Sequence, residues 1–149
     1  MRLSTKGKYA LEAMVLLGHK AMNGQTIHLK TISTEANISE GYLEQIFRLL
    51  KKENVISSKK GKNGGYFFDR ALDQISVGDI LNAVEGSLAP VKCVEDETCP
   101  RSDECLTRNL WEDVFILIND TIYNISLLSL VKNYRLKQSL GEKSNEIIN

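Results

Sequence analysis

A mainly α-helical chain carrying one short two-stranded β-ribbon is the fold class that this sequence predicts, and three observations predict it. Apolar residues recur at helical spacing along most of the chain. The period changes to that of strands only between Val55 and Asp69, around a glycine-rich turn. The 149 residues, 42% hydrophobic and 26% charged, have ordinary globular composition and are too few for a barrel enzyme or a two-domain dehydrogenase.

Residues 4–22 read as the first helix: Ser4 or Thr5 caps it, Tyr9, Ala13, Leu16 and Leu17 recur at helical spacing, and Asn23-Gly24 stops it. A second helix fits Leu29 to Ala36, with Leu29, Ile32 and Ala36 on one face. Asn37-Ile38 makes a tight break, and Ser39 is a good N-cap for a third helix reaching about Asn54. Its inner face is Leu43, Ile46, Phe47 and Leu50; its outer face carries Glu44, Gln45, Arg48, Lys51 and Lys52. Val55 to Lys60 and Tyr66 to Asp69 follow as short strands joined by Gly61-Lys62-Asn63-Gly64-Gly65, a hairpin with a basic tip. Two short helices across a tight turn, followed by such a ribbon, make a winged helix-turn-helix.

Ser76-Val77-Gly78-Asp79 opens a fourth helix through a box-like cap, and Gly86 ends it. Residues 87–106 show no clear period and hold both prolines and all three cysteines. From about Thr107 to Ile125 a long helix returns, with Leu110, Trp111, Val114, Phe115, Leu117, Ile118 and Ile122 over more than one face. That is more apolar surface than a terminal helix of a small monomer exposes, so a partner chain is expected to cover it. A last short helix should start at Ser126 and run through Leu130 and Val131, leaving a loose tail from Gly141. The expected organisation is a winged helix-turn-helix domain over 1–86, a cysteine loop over 87–106, dimerisation helices over 107–140 and a flexible tail over 141–149.

A net charge of zero hides an asymmetry. Residues 1–70 hold 12 Lys and Arg against 6 Asp and Glu, whereas residues 71–149 hold 7 against 13. The basic half suits a polyanion. No apolar run approaches the roughly 18–20 residues of a membrane span. The start, Met-Arg-Leu-Ser-Thr-Lys-Gly-Lys, has neither the apolar core nor the cleavage site of a signal peptide, so the cytoplasm is the expected compartment. Neither His19 nor His28 has a neighbouring nucleophile motif, and Gly61 to Gly65 is a hairpin tip rather than a phosphate-cradling loop before a helix. An enzyme is therefore not expected.

Cys93, Cys99 and Cys105 are each separated by five residues. An odd number of cysteines in one loop is no disulfide framework, and structural zinc prefers tighter pairs. An iron–sulfur cluster suits three thiolates on a flexible loop, because bridging sulfides supply much of the ligand field. Spacing alone leaves zinc or another metal, and inert or redox-sensing thiols, open as well. Glu95, Asp96, Glu97, Asp103 and Glu104 oppose a free thiolate and so tell against a low-pKa sensor.

Several stretches go further: Met1 to Ala10, Ile38 to Phe47, Gly64-Gly65-Tyr66, Ser76 to Ile80, the cysteines followed by Leu106-Thr107, Leu110-Trp111, and Asn124 to Leu127. In order, over about residues 1–135, the chain resembles the IscR-like members of the Rrf-type family of dimeric winged-helix, iron–sulfur cluster transcription regulators. The resemblance implies that Tyr42, Glu44 and Gln45 read base edges in the major groove, while the wing around Lys60 to Gly64, including Asn63, enters the minor groove. Chemistry agrees, since Gln pairs with adenine and Glu accepts from cytosine. Arg48, Lys51, Lys59, Lys60 and Lys62 would supply phosphate contacts. The expected partners are double-stranded DNA at a roughly palindromic promoter site and a second copy of the chain.

The resemblance also implies that Cys93, Cys99 and Cys105 ligate the cluster. The family commonly places a histidine three residues after the last cysteine; here it is Arg108, whose guanidinium stays protonated and is an improbable ligand. Glu12 is a candidate fourth donor, since some relatives take theirs from the first helix of the other subunit; Asp103, Glu104, water and a small thiol are others. A [2Fe-2S] cluster is expected ahead of [4Fe-4S]. The expected function is a regulator, repressing cluster-assembly or related genes, whose cluster status controls promoter binding. Its rivals are an electron-transfer or cluster-delivery protein on the same scaffold and a zinc-stabilised winged-helix repressor.

Overall fold

A computed structural model describes residues 3–21, 24–95 and 99–148, with residues 142–148 described by backbone alone. Ser4 starts helix α1 (Thr5–Lys20) by accepting the Gly7 N–H on its hydroxyl at 3.2 Å. The helix closes at Lys20 rather than at 22; Met22 and Asn23 lie outside the described residues. Helices α2 (Leu29–Ala36) and α3 (Glu40–Lys52) follow. Between them Asn37 takes the left-handed conformation, φ 54° and ψ 44°, which a short polar side chain tolerates. Ile38 is buried beside it. Its N–H bonds the Ser33 carbonyl at 3.1 Å and its carbonyl accepts from the Ser33 hydroxyl at 2.5 Å, so one residue fixes both ends of the turn. Ser39 then caps α3 through the Tyr42 N–H, as its sequence position predicts.

Strands β1 (Ser57–Lys59) and β2 (Gly65–Phe67) pair antiparallel, with Ser57 opposite Phe67 and Lys59 opposite Gly65. Both are shorter than expected, because Val55 and Ile56 turn inward to the core before β1 begins. Ile27 adds an isolated bridge to Tyr66 with hydrogen bonds of 2.9 and 2.8 Å, which ties the α1–α2 connection to the ribbon.

Helix α4 (Val77–Glu85) has the expected reciprocal cap: the Asp79 N–H bonds the Ser76 hydroxyl at 3.0 Å, and the Ser76 N–H bonds the Asp79 carboxylate at 2.8 Å. Two further helices, α5 (Arg108–Tyr123) and α6 (Leu127–Ile148), close the chain. The last helix corrects the expectation of a short helix with a loose tail, since it runs for 22 residues through Gly141. No proline interrupts it, and one glycine in a helix costs only about 1 kcal/mol relative to alanine. Asn149 lies outside the described residues.

One core joins α1 (Ala13, Met14, Leu17), α2 (Ile32), the expected inner face of α3 (Leu43, Ile46, Phe47, Leu50), α4 (Ile80, Val84) and the start of α6 (Leu127, Val131). Helices α1 and α6 cross closely: a Cβ on Gly18 would stand 2.9 Å from Val131. By contrast, α5 has no buried residue. Its C-terminal end is fastened by the Val77 N–H to the Ile125 carbonyl (2.8 Å), the Leu127 N–H to the Ile75 carbonyl (2.7 Å), and Tyr123 lying across Gly78.

Phe47 is fully buried and meets the Tyr66 ring edge-on at 4.7 Å. Replacing it by alanine should cost about 3–5 kcal/mol, read as a lower urea midpoint with an unchanged slope.

Candidate functional site

The helix-turn-helix leaves one side of α3 outside the core. Glu44, Gln45, Arg48 and Lys51 are all exposed on it. Tyr42 is half-buried, its ring edge-on to Tyr9 at 5.8 Å, so α1 braces the start of α3. Glu44 and Arg48, one turn apart, form a loose ion pair at 3.9 Å. In water such a pair is worth little, and both groups stay available to another partner. Burial, with Glu44 adding to it against Arg48, pushes the Tyr66 hydroxyl above the usual tyrosine range, so it remains an uncharged donor.

The wing tip is stiffer than a free hairpin. The Thr26 hydroxyl donates to the Asn63 carbonyl at 2.8 Å, and Lys51 Nζ bonds the Ser58 hydroxyl at 2.6 Å, tying α3 to β1. Lys59, Lys60, Lys62 and Asn63 are exposed. Gly64 alone among the expected contact residues is buried. A Cβ there would lie 2.3 Å from the Lys59 carbonyl oxygen, so this glycine lets the tip close and presents no side chain. The fold therefore places the expected reading and phosphate-contacting side chains on α3 and the adjoining wing.

The cysteine loop packs against α5 through its Lys92–Val94 turn. All three cysteines are unpaired, Cys93 and Cys99 half-buried and Cys105 exposed. Among the described residues no three His, Cys, Asp or Glu side chains converge on one point, and Asp96 and Glu97, expected to oppose free thiolates, lie outside the described residues. Asp103 and Glu104 are exposed on a 3-10 turn. Glu12 is exposed on α1 and lines an apolar groove with Leu16 and Tyr134.

Cys105 Sγ lies 3.8 Å from the Thr107 hydroxyl. A hydrogen bond from the Thr107 backbone, then one from its hydroxyl, with the Arg108 backbone and the charge of Arg101 adding, hold its thiol below the usual cysteine value. Arg108 Nε bonds Glu112 at 2.6 Å. Glu112 keeps the guanidinium more firmly protonated than usual, and the sulfurs of Cys99 and Cys93 act in the same direction. Three free thiols on one loop, with a fixed cation near two of them, are a donor set that fits an anionic iron–sulfur thiolate assembly.

Sequence reasoning missed three supports. Thr26 carries no signal, because its partner Asn63 lies 37 residues away. The Tyr9–Tyr42 contact also depends on tertiary packing. The Arg108–Glu112 pair was legible as an i,i+4 spacing of opposite charges.

Residues 3–133 match the family model of Rrf2, the iron-dependent transcriptional regulators. The chain belongs to the Rrf2 family. Within it, the chain is 37% identical to the HTH-type transcriptional regulator IscR of Sodalis glossinidius, covering 98% of this chain and 88% of that protein. It is 39% identical to IscR of Erwinia tasmaniensis, covering 99% and 89%. Among solved structures it is similar to CymR, the global cysteine regulator of B. subtilis (TM-score 0.74, 30% identity, 89% and 98% covered). T. potens IscR is similar too (TM-score 0.72, 32% identity, 90% and 88% covered). The winged-helix fold expected from the sequence holds, and this Rrf2 member is a DNA-binding transcription regulator, not an enzyme. The likenesses support the iron–sulfur-sensing regulator; nothing in them favours electron transfer, cluster delivery or a zinc-stabilised repressor. Among the described residues no helix is long and apolar enough to cross a membrane.

Thr107→Val should raise the pH at which Cys105 of the metal-free chain is alkylated. Iodoacetamide labelling at a series of pH values, mapped by mass spectrometry, reads this directly; because valine keeps the backbone hydrogen bond, an unmoved pH profile would refute the role given to the Thr107 hydroxyl.

Proposed function

We propose that this Rrf2 protein acts in the cytoplasm as a homodimer on a roughly palindromic double-stranded DNA site, and that an iron–sulfur cluster on Cys93, Cys99 and Cys105 sets its promoter occupancy. Repression of cluster-assembly or related genes is the output this reading assigns, and [2Fe-2S] the cluster type it names ahead of [4Fe-4S]. The observation that carries it is α5: the helix begins three residues beyond Cys105, buries none of its own side chains, and at its far end joins α4 and the core-forming start of α6. Whatever orders the cysteine loop acts on the helix that follows it and returns to the core at its far end.

Leu110, Ile116 and Leu117 on α5 are more than half exposed, and Leu117 and Ile118 line an apolar groove with Val114 and Ile122. A second copy of α5 covers this surface, as exposed apolar area of this kind favours. Two copies then present two α3 helices, which is why the site is palindromic, with half-sites about one helical turn or a multiple apart. Tyr42, Glu44 and Gln45 read bases; Arg48, Lys51, Lys59, Lys60 and Lys62, with the Asn63-Gly64 tip, engage the backbone and the minor groove. When bound, the cluster supplies chemistry sensitive to iron and oxidation. Cys93, Cys99 and Cys105 hold it at the base of α5, and Glu12 of the opposite copy, exposed on α1, is the first candidate for a fourth donor.

The deciding experiment compares duplex binding by protein purified without oxygen, in its iron-loaded and metal-free forms. A bias of about 1.4 kcal/mol towards one form gives a tenfold difference in affinity; equal affinity and equal site preference would end the sensing reading while leaving DNA binding intact. Each Cys→Ser variant should lose bound iron. Gln45→Ala should cost about 1–3 kcal/mol at its base pair, whereas Lys60→Ala should weaken all duplexes alike and lower the salt slope by about one. Leu117→Asp should sediment as a monomer.

A further inference from the structure

Arg108 stands at the first position of α5, and its surroundings are not those of a surface arginine. Only 24% of its side chain is exposed, and Nε is committed to Glu112. Nη1 is shut off from water with no hydrogen-bond partner among the described residues. A buried charged donor of this kind is costly, so the site favours an acceptor that brings negative charge. The Lys92–Val94 turn packs against α5, which brings Cys93 to this helix, and both Cys93 and Cys99 act on the guanidinium's charge. A guanidinium does not ligate metal, because it keeps its proton.

We infer that Arg108, held by Glu112, serves as a fixed positive charge and hydrogen-bond donor beside the sulfurs of Cys93 and Cys99, and thereby raises the potential at which a cluster on those sulfurs accepts an electron. The inference rests on the cluster reading proposed above. One electron from an external reductant makes the assembly more negative; a neighbouring cation and hydrogen bonds to sulfur stabilise that form. No bond breaks, and Arg108 stays protonated on both sides of the step.

The test uses the full chain and its Arg108→Gln, Arg108→Lys and Glu112→Gln variants, each reconstituted without oxygen with ferrous iron and sulfide. Iron and sulfide are counted per chain. The reduction potential follows from titration with dithionite, monitored by absorption and electron paramagnetic resonance. All four proteins should hold the same iron and sulfide. Arg108→Gln should shift the oxidation–reduction equilibrium about tenfold towards the oxidised form, a potential lower by about 59 mV for one electron. Arg108→Lys should retain most of the original potential. Glu112→Gln, which removes a negative charge, should move it upward.

An unchanged potential in Arg108→Gln overturns the inference. So does a shift in the same direction in Arg108→Gln and Glu112→Gln, which is the mark of a merely structural disturbance. Loss of iron from Arg108→Gln, with iron retained by the unaltered chain, overturns it as well, because Arg108 would then build the site rather than tune it. An unaltered chain that takes up no iron defeats the cluster reading itself, and this inference falls with it.

Discussion

Leu127 and Val131 are buried where α6 crosses α1, and the rest of the architecture depends on that seam. The crossing needs Gly18: a larger residue would press on Val131, and Leu72 also lies within reach of an added Cβ at 3.3 Å. Because the start of α6 belongs to the same core as the inner face of α3, the helix that precedes α6 is anchored to the reading domain rather than to a linker. Burial of two medium aliphatic side chains contributes on the order of 3–6 kcal/mol before entropy is counted. That is enough to make the winged-helix core and the C-terminal end of α5 move as one body.

The charge asymmetry of the sequence maps onto two places in the fold. The basic excess lies on α3 and the wing, where Arg48 and the lysines of β1 and the tip are exposed and only loosely paired. Such charges add little to stability and stay free for counterion exchange with a polyanion. The acidic excess falls in the later half, around the cysteine loop and α5. There Glu112 fixes Arg108, and the cation in turn sits near two sulfurs.

Most of the exposed face of α3, the candidate DNA-contacting surface, was legible because it obeys local rules. The i, i+3, i+4, i+7 pattern of Leu43, Ile46, Phe47 and Leu50 fixes the inner face of α3 and, by subtraction, the outer one. The Ser39 cap and the Ser76–Asp79 box depend on residues only three apart, and both form as expected. What escaped depends on distance. The bridge from Ile27 to Tyr66 and the Thr26 tether to Asn63 join segments about forty residues apart, and no periodicity records such a meeting. The length of α6 escaped for a different reason: past Val131 it has little core to bury, with Leu136 and Leu140 more than half exposed, so its helical propensity had no apolar stripe to announce it. The three cysteines marked their loop as a candidate metal or thiol site through spacing and composition, whereas the packing that sets Arg108 beside two of them belongs to tertiary structure.

On the function proposed above, a small event at the cysteine loop alters DNA reading because of the shape of α5. Sixteen residues make a rod of about 24 Å at 1.5 Å per residue, anchored at one end and bearing the loop at the other. A tilt of about 5° at the anchored end displaces the far end by roughly 2 Å over that length. Conversely, ordering the loop against Arg108 and the first turn of α5 restricts the tilt at the anchor, beside Ile75 and Val77, which adjoin the reading core. The resulting shift in population is limited by how differently the loop binds its ligand in the two arrangements. A half-buried cation held near two of the sulfurs would supply that difference without touching a base or a phosphate. On the function proposed above, one helix without a buried residue both pairs two copies and carries the state of the loop.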